Sequence, residues 1–208
     1  VYKRQEVFYY ADTKHFPYGN KTSQQLKQII AEAFDIFAAK KVEQIIVACN
    51  TASMIIQELD LQNIKIPILD MATSLNNIMR SQTDLTILAT PVTANYLTNY
   101  SSQQPNGNKV IALPELASLI EFNQSDKIES YLLQHIKKDT KKILYACTHY
   151  PLAHEIFTKL FNCEYYNPID EIIAQVKKAN TNYVITFNDK ETSDKYNKIM
   201  HKCQTALK

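Results

Sequence analysis

Short runs of apolar, β-branched residues alternate with helix-like stretches along almost the whole chain of 208 residues. Eight runs are predicted as strands: Val7–Tyr10, Gln44–Ala48, Ile66–Leu69, Leu85–Ala89, Lys109–Leu113, Lys142–Ala146, Glu164–Tyr166 and Tyr183–Phe187. After the first run, apolar residues recur at the spacing of an amphipathic helix, and Thr22 with Gln25 forms a capping-box pattern at its start. Strands that alternate with helices pair in parallel, and strands apolar on both faces lie between helical layers. The sequence therefore predicts an α/β fold.

Glycine and arginine are scarce, and their scarcity excludes several kinds of site. Glycine occurs only at Gly19 and Gly107, whereas the phosphate loop and the dinucleotide fingerprint each need several glycines at fixed spacing. Arginine occurs only at Arg4 and Arg80, which argues against a bidentate arginine clamp on a carboxylate or phosphate. The net charge of +2, from 23 basic and 21 acidic residues, gives no sign of nucleic-acid or membrane-surface binding.

The cysteine content favours a reducing compartment. Four cysteines, Cys49, Cys147, Cys163 and Cys203, are too sparse for a disulfide scaffold, and the chain does not open on a secretory leader pattern. We therefore expect a cytoplasmic protein. No apolar run reaches the roughly 18–20 residues that cross a bilayer, so no membrane span is expected. The chain opens on Val1 rather than on methionine, which we interpret as a truncated or wrongly assigned start.

Two segments of the chain resemble each other. Ile45–Thr51 and Ile143–His149 are both apolar runs that end in Ala-Cys followed by two polar residues, and each is expected to lead into a helix. In open α/β sheets, ligands bind at the carboxyl ends of the strands. A thiol at the start of a helix also experiences the positive end of the helix dipole, which favours the thiolate. This pattern predicts two similar α/β halves, each placing one cysteine at a common site.

A pair of facing cysteines allows several kinds of chemistry. One thiolate can remove a proton from carbon while the opposite thiol donates one to the other face, and an ordinary thiol pKa of about 8.5 keeps both forms accessible near neutrality. A redox pair would need two sulfurs within bonding distance or a Cys-x-x-Cys pattern, which is absent. A zinc site would use Cys49, Cys147, His149 and Cys163, but Cys-x-His matches metal-ligand spacing poorly. Burial of all four cysteines as small apolar residues is the remaining alternative.

The residues around the cysteines closely resemble the motifs of glutamate racemases. The matching segments, in chain order, are Ala11-Asp12-Thr13 with Pro17-Tyr18-Gly19, Ala48-Cys49-Asn50-Thr51-Ala52-Ser53, Ala89-Thr90-Pro91-Val92-Thr93, Ala112–Glu121 and Ala146-Cys147-Thr148-His149-Tyr150-Pro151-Leu152. They occur in the family's order over nearly the whole chain. The Cys-Thr-His-Tyr-Pro form resembles glutamate racemases more than the related aspartate or hydantoin racemases.

The resemblance implies the conversion of L-glutamate into D-glutamate for peptidoglycan synthesis, without a cofactor or a metal. Cys49 would be the base toward the D-enantiomer and Cys147 toward the L-enantiomer, with His149 and Glu121 supporting Cys147. The implied substrate-binding residues are Pro17, Tyr18, Gly19, Asn50, Thr51, Thr90, Thr93 and Thr148. Backbone N–H groups at helix starts, with Asn and Thr side chains, can hold anions where arginine is missing. Glutamate is the implied small-molecule partner, and homodimers are common in the family.

Each of these residues also has a purely structural interpretation. Tyr18 could be a turn residue and Gly19 the position in that turn that needs a positive φ. His149 could be a structural histidine, and Glu121 a solvated residue at the end of an apolar stretch. No role is predicted for the remaining cysteines and histidines, which are Cys163, Cys203, His15, His135, His154 and His201.

The resemblance also implies a domain division and leaves alternatives open. It predicts two flavodoxin-like domains, 1–73 with 167–208 and 74–166, with the site in the cleft between them. The family begins with a strand and an Asp-Ser-Gly loop that have no counterpart before Val7–Tyr10. A non-catalytic amino-acid-binding remnant is therefore one alternative, and a racemase for aspartate or another amino acid is a second.

Overall fold

The computed structural model describes residues 5–59, 64–102, 106–175 and 181–187. The strands are β1 Gln5–Ala11, β2 Ile45–Val47, β3 Ile68–Asp70, β4 Thr86–Ala89, β5 Lys109–Ala112, β6 Lys142–Ala146, β7 Glu164–Tyr166 and β8 Thr181–Phe187. The helices are α1 Ser23–Ala39, α2 Asn50–Ile56, α3 Met71–Ser81, α4 Pro91–Ser101, α5 Leu116–Glu121, α6 Ser125–His135, α7 His154–Leu160 and α8 Ile169–Gln175. Each of the eight predicted strands overlaps one of these strands, so the strand predictions are confirmed.

The chain divides into two units, of which the smaller comprises residues 1–16 and 176–208. Its described elements are β1 and β8, which pair in parallel from Gln5 opposite Thr181 to Ala11 opposite Phe187. Strands from opposite ends of the chain thus form one ladder. This unit also contains the side-chain pair of Asp12 and His15, whose Oδ2 and Nδ1 atoms are 2.8 Å apart.

The larger unit, residues 17–175, contains two parallel sheets. One is the pair β2–β3, and the other has four strands in the order β5-β4-β6-β7. Every described strand pair is parallel, as expected when helices connect successive strands. The predicted α/β class is therefore confirmed.

The four-stranded sheet is apolar on both faces because alternate residues of its central strands enter different cores. In β6 and the residue after it, Ile143, Tyr145 and Cys147 pack in a cluster with residues of α5, α6 and α7. Leu144 and Ala146 point to the opposite face, into a cluster with residues of α3 and α4. This is the two-sided burial that the sequence predicts for strands between helical layers.

Helix α1 has the start that the sequence predicts. The Thr22 side chain accepts a hydrogen bond from the Gln25 backbone N–H, and the Gln25 side chain accepts one from the Thr22 N–H, which completes the capping box. The buried face of the helix carries Leu26, Ile30 and Phe34, which pack in one cluster with residues of α2 and β2. This packing fixes the positions of β2 and α2 against α1.

The predicted domain boundary between residues 73 and 74 falls within the larger unit. The division into residues 1–73 with 167–208 and residues 74–166 therefore stays a prediction. In the part of the chain that the structure describes, every helix is too short or too polar to cross a membrane.

Candidate active site

The larger unit places two cysteines at the carboxyl ends of parallel strands. Cys49 is separated from the end of β2 by Ala48. It is the N-terminal cap of α2 and has extended backbone conformation. Cys147 directly follows β6 and is buried, whereas Cys49 is partly exposed. Both thiols are free. A charge on Cys49 raises the pKa of Cys147, so the two sulfurs lie within electrostatic range of each other.

Backbone N–H groups at matching chain positions donate to the two sulfurs. The backbone N–H groups of Thr51 and Ala52 donate to the Cys49 sulfur, and those of His149 and Tyr150 donate to the Cys147 sulfur. In both cases the donors are the second and third residues after the cysteine. A pair of N–H donors stabilises negative charge, so each cysteine carries its own support for the thiolate.

Burial opposes that support at both thiols. The pKa of Cys147 is raised from 9.0 to about 12. Desolvation is the largest cause, and the charge of Cys49 adds to it, whereas the two N–H donors lower the pKa. Desolvation also raises the pKa of Cys49, because protein atoms surround its sulfur although part of the residue is accessible. In the free protein the thiol form therefore dominates at neutral pH at both positions.

One expectation about the second cysteine was wrong. Helix α2 begins directly after Cys49, as predicted, but no α-helix begins directly after Cys147. A turn leads instead into the 3-10 helix Tyr150–Ala153, and α7 begins only at His154. Pro151 explains the difference, since it stands where Ser53 stands after Cys49 and has no N–H to donate to the Cys147 carbonyl as the first α-helical hydrogen bond.

His149 and Glu121 come together beside Cys147. Glu121 is the last residue of α5, and its Oε2 lies 3.4 Å from Nε2 of His149. Burial lowers the pKa of His149 below its ordinary value of 6.5, while the Glu121 carboxylate works in the opposite direction. The ring is therefore neutral at pH 7, with a carboxylate positioned to stabilise it when it takes up a proton.

Three buried threonines from two motifs form a triangle of hydroxyl groups. Oγ1 of Thr51, in α2, lies 2.9 Å from Oγ1 of Thr90 and 3.2 Å from Oγ1 of Thr93. The Thr90 hydroxyl donates to Thr93 at 3.1 Å. The triangle joins the residues that follow Cys49 to the start of α4. Mutual hydrogen bonds account for the burial of these three hydroxyls.

Gly19 packs against this triangle. It lies in the 3-10 helix Tyr18–Asn20, which Pro17 caps, and a Cβ atom built on it would lie 2.3 Å from Cβ of Thr90. Its φ is not in the left-handed region, in contrast to Gly107 at +77° in the turn before β5. The positive-φ explanation for Gly19 was therefore wrong. Close approach to Thr90 is what requires glycine there.

Asn50 and Thr148 each directly follow one of the cysteines. Asn50 is buried, and neither the nitrogen nor the oxygen of its side chain has a hydrogen-bond partner among the described residues. An unpaired buried amide is costly, so a functional reason is expected for it. Thr148 is half-buried.

Ser53 is a site residue to which the sequence interpretation assigned no role. It lies in the motif Ala48–Ser53, one helical turn after Cys49. Its hydroxyl lies 2.8 Å from the Cys49 carbonyl oxygen and accepts a hydrogen bond from the Met71 N–H at 3.0 Å. The four-residue spacing from Cys49 was the available signal, because a serine in a helix can donate to the carbonyl four residues before it.

The cysteines and histidines without a predicted role have local partners where they are described. His15 pairs with Asp12, His135 contacts the Tyr131 carbonyl through Nδ1 at 2.8 Å, and Nδ1 of His154 lies 3.0 Å from the Tyr145 hydroxyl. Cys163 hydrogen-bonds with Tyr165. Cys203 and His201 lie outside the described residues. Within the described ranges, no three His, Cys, Asp or Glu side chains gather closely enough to hold a metal ion.

Curated proteins with similar sequences are glutamate racemases. The protein from Trichodesmium erythraeum is 27% identical over 168 residues, which cover 76% of this chain and 62% of that protein. The protein from Fusobacterium nucleatum is 28% identical over 200 residues, covering 90% of this chain and 75% of that protein. The chain thus spans less than two thirds of the first relative's length. No protein-family model matches the chain.

Solved structures share the fold. A glutamate racemase from Francisella tularensis, crystallised with D-glutamate, superposes with a TM-score of 0.75 over 90% of this chain and 80% of its own, at 22% identity. The chain thus shares its α/β fold with solved racemase structures. Its sequence relatives are proteins named glutamate racemase.

Proposed function

We propose that the chain interconverts L- and D-glutamate by moving the Cα proton between the thiols of Cys49 and Cys147, without a cofactor. The pairing of these thiols is the observation that carries the proposal. Each follows a parallel strand, each accepts two backbone N–H groups, and Cys49 affects the ionisation of Cys147. The sequence relatives named glutamate racemase support glutamate as the substrate.

Coupling between the thiols favours a pair with one negative charge. Because a thiolate at Cys49 raises the pKa of Cys147, one thiolate and one thiol form the stable combination once the first proton has left. The thiolate takes the Cα proton, and the electron pair of the broken bond spreads into the α-carboxylate. The opposite thiol then donates its proton to the other face of Cα. The stereocentre is inverted, and the two cysteines have exchanged their protonation states.

The polar residues that follow the cysteines would hold the substrate. The Asn50 amide has no hydrogen-bond partner among the described residues. Thr51 and Thr148 follow the two cysteines closely in the chain, and the Thr51 hydroxyl lies in the threonine triangle. The turn of Tyr18 and Gly19 adjoins Thr90. Donors aimed at the α-carboxylate would be strengthened as charge develops there, which is how preorganised hydrogen bonds accelerate proton removal from carbon.

His149 would adjust the proton affinity of Cys147. Its backbone N–H donates to the Cys147 sulfur, and its neutral ring lies against Glu121. A neutral imidazole can accept the proton that Cys147 releases, and the carboxylate 3.4 Å away stabilises the imidazolium that forms. Glu121 thereby acts through His149 as a positioning residue.

The proposal is tested by incorporation of deuterium at Cα in D₂O, followed by NMR. L-glutamate, D-glutamate and both enantiomers of aspartate are incubated separately with the chain and with the variants Cys49→Ser and Cys147→Ser. The matched control is Cys163→Ser, which changes a partly exposed thiol outside the proposed site. We expect exchange with both glutamate enantiomers, a reduction of at least about 100-fold in either site variant, and no change in the control.

Other outcomes would contradict the proposal. Faster exchange with aspartate than with glutamate would identify aspartate as the preferred substrate. Saturable glutamate binding without exchange would indicate an amino-acid-binding protein. Exchange that survives both cysteine substitutions would exclude the two-thiol mechanism.

We also propose that the product supplies peptidoglycan synthesis in the cytoplasm and thereby maintains cell shape, and that the active form is a homodimer. The family resemblance supports these proposals. Expression of the chain in a bacterium that requires external D-glutamate should restore growth, and the Cys49→Ser variant should not. Sedimentation equilibrium determines the oligomeric state.

A further inference from the structure

Ser53 links the turn that carries Cys49 to the next crossover of the fold. Its side chain is fully buried, and its hydroxyl lies 2.8 Å from the Cys49 carbonyl oxygen and 3.3 Å from that of Val47. The same oxygen accepts the backbone N–H of Met71, the first residue of α3, at 3.0 Å. One hydroxyl therefore joins the end of β2 to the start of α3.

The donation to Cys49 is an addition to the helix rather than part of it. The Ser53 backbone N–H already donates to the Cys49 carbonyl at 2.9 Å, which is the first regular hydrogen bond of α2. The Ser53 hydroxyl donates its proton to the Cys49 carbonyl. The lone pairs of the hydroxyl oxygen therefore remain available to accept the Met71 N–H. At α3, Asp70 accepts the Ala72 N–H, so Ser53 and Asp70 together satisfy two N–H groups that a helix start leaves without partners.

We propose that Ser53 is the positioning residue of Cys49: by holding the Cys49 carbonyl and the Met71 N–H together, it keeps the turn in the conformation that aims two backbone N–H groups at the sulfur. This inference rests on the proposed role of Cys49 as a reacting thiol. Thr51 and Ala52 supply those N–H groups. Both residues lie between the two points, Cys49 and Ser53, that the hydroxyl ties together.

Within the described ranges, no side-chain hydroxyl donates to the Cys147 carbonyl as Ser53 does to that of Cys49. The fourth residue after Cys147 is Pro151, which has neither a hydroxyl nor an N–H. The turn after Cys147 is instead closed by the Tyr150 N–H, which is shared between the Cys147 sulfur and the Cys147 carbonyl, 3.1 Å away. A change at residue 53 should therefore act on one sulfur of the pair and leave the other as it is.

Alkylation of the two cysteines measures this selectivity without requiring turnover. The chain is treated with iodoacetamide at a series of pH values, and mass spectrometry of the digested protein gives separate rates for Cys49 and Cys147. Alkylation follows the thiolate population, so loss of N–H donation slows it at neutral pH. In Ser53→Ala we expect the Cys49 rate near pH 7.5 to fall about three- to tenfold. The Cys147 rate is expected to stay unchanged.

The control is Ser74→Ala, which removes a fully buried serine hydroxyl that has no hydrogen-bond partner among the described residues. It should leave both rates unchanged. Ser53→Thr and Ser53→Val form a second pair of variants, to be used if Ser53→Ala does not fold. Threonine and valine have nearly the same shape, but only threonine keeps the hydroxyl. The threonine variant should keep the Cys49 to Cys147 rate ratio of the unchanged chain, and the valine variant should lower it.

Three results would overturn the proposal. One is an unchanged Cys49 rate in a folded variant without the hydroxyl. The others are a parallel change of the rates at both cysteines, and a chain that folds only with a hydroxyl at residue 53, since either would give Ser53 a general structural role. Failure of deuterium exchange in the unchanged chain would refute the proposed function but would leave these alkylation results interpretable.

Discussion

Asn50 is the residue whose burial is hardest to explain by folding alone. Its side chain is 2% exposed, and the described residues offer no partner to its nitrogen or its oxygen. Leaving an amide unpaired in the interior costs free energy. A bound substrate that accepts from or donates to this amide would offset that cost, which supports the proposed role of Asn50 in binding.

Replacing Asn50 with leucine, which has a similar shape, should separate stability from function. We expect Asn50→Leu to leave the free energy of unfolding unchanged or to raise it by about 1 kcal/mol, because no hydrogen bond is lost and an unpaired amide is removed. The KM for glutamate should rise at least about tenfold, the loss expected for one well-formed hydrogen bond. Urea denaturation and steady-state racemisation assays measure the two quantities. A loss of stability above about 1 kcal/mol would instead indicate a structural partner for Asn50.

Gly19 should tolerate no side chain at all. In Gly19→Ala the new Cβ would lie 2.3 Å from Cβ of Thr90, so either the turn or the start of α4 must move. We expect a loss of about 1–3 kcal/mol in the free energy of unfolding, as for other overpacked sites. Adding Thr90→Ala should not restore stability, because alanine keeps the Cβ atom that is approached most closely. Urea denaturation of both variants checks this, and full rescue by Thr90→Ala would contradict it.

At the scale of elements, the alternation of side chains along β6 determines where Cys147 lies. Ile143, Tyr145 and Cys147 share one face because successive residues of a strand point to opposite sides. The sequence was sufficient to predict the bounds of β6 and the position of the thiol at its end. The apolar pattern of the strand does not predict the 3-10 helix that follows, because that helix depends on the missing N–H of Pro151.

The capping box of α1 should contribute measurably to stability. Thr22→Ala removes the side-chain acceptor for the Gln25 N–H, and we expect the free energy of unfolding to fall by about 1 kcal/mol. Ser23→Ala is the matched control, because Ser23 is exposed and is the first residue within the helix rather than its cap. Urea denaturation of the two variants measures the difference. Equal stability of both variants would mean that the cap contributes nothing.

At the scale of the whole molecule, buried thiols and phenols should make the fold sensitive to alkali. The pKa of Cys147 is raised from 9.0 to about 12, and burial also raises the pKa values of Cys49 and Tyr150. Above about pH 9, the unfolded chain releases these protons while the folded chain keeps them. Because the folded state then binds more protons, its stability should fall as the pH rises through this range.

The contribution of Cys147 to this effect can be isolated. We expect the free energy of unfolding to decrease from pH 9 upward, and to decrease less steeply in Cys147→Ser, which has no group that titrates at that position. Urea denaturation at pH 8, 9 and 10 measures the slope. Identical slopes for the two chains would show that Cys147 does not keep its proton in the folded state over this range.

The eight strands, the α/β class, the two-sided core and the placement of Cys49 and Cys147 after strands are predictable from sequence, because each follows from residues that are near neighbours in the chain. Periodicity, capping and strand alternation are local effects. The contacts between residues that are distant in the chain became visible only in the folded structure. Thr51 reaches Thr90, Gly19 lies against that same threonine, Glu121 pairs with His149, and Ser53 accepts from Met71. These contacts depend on how crossovers and sheets pack together, and no local spacing encodes that packing.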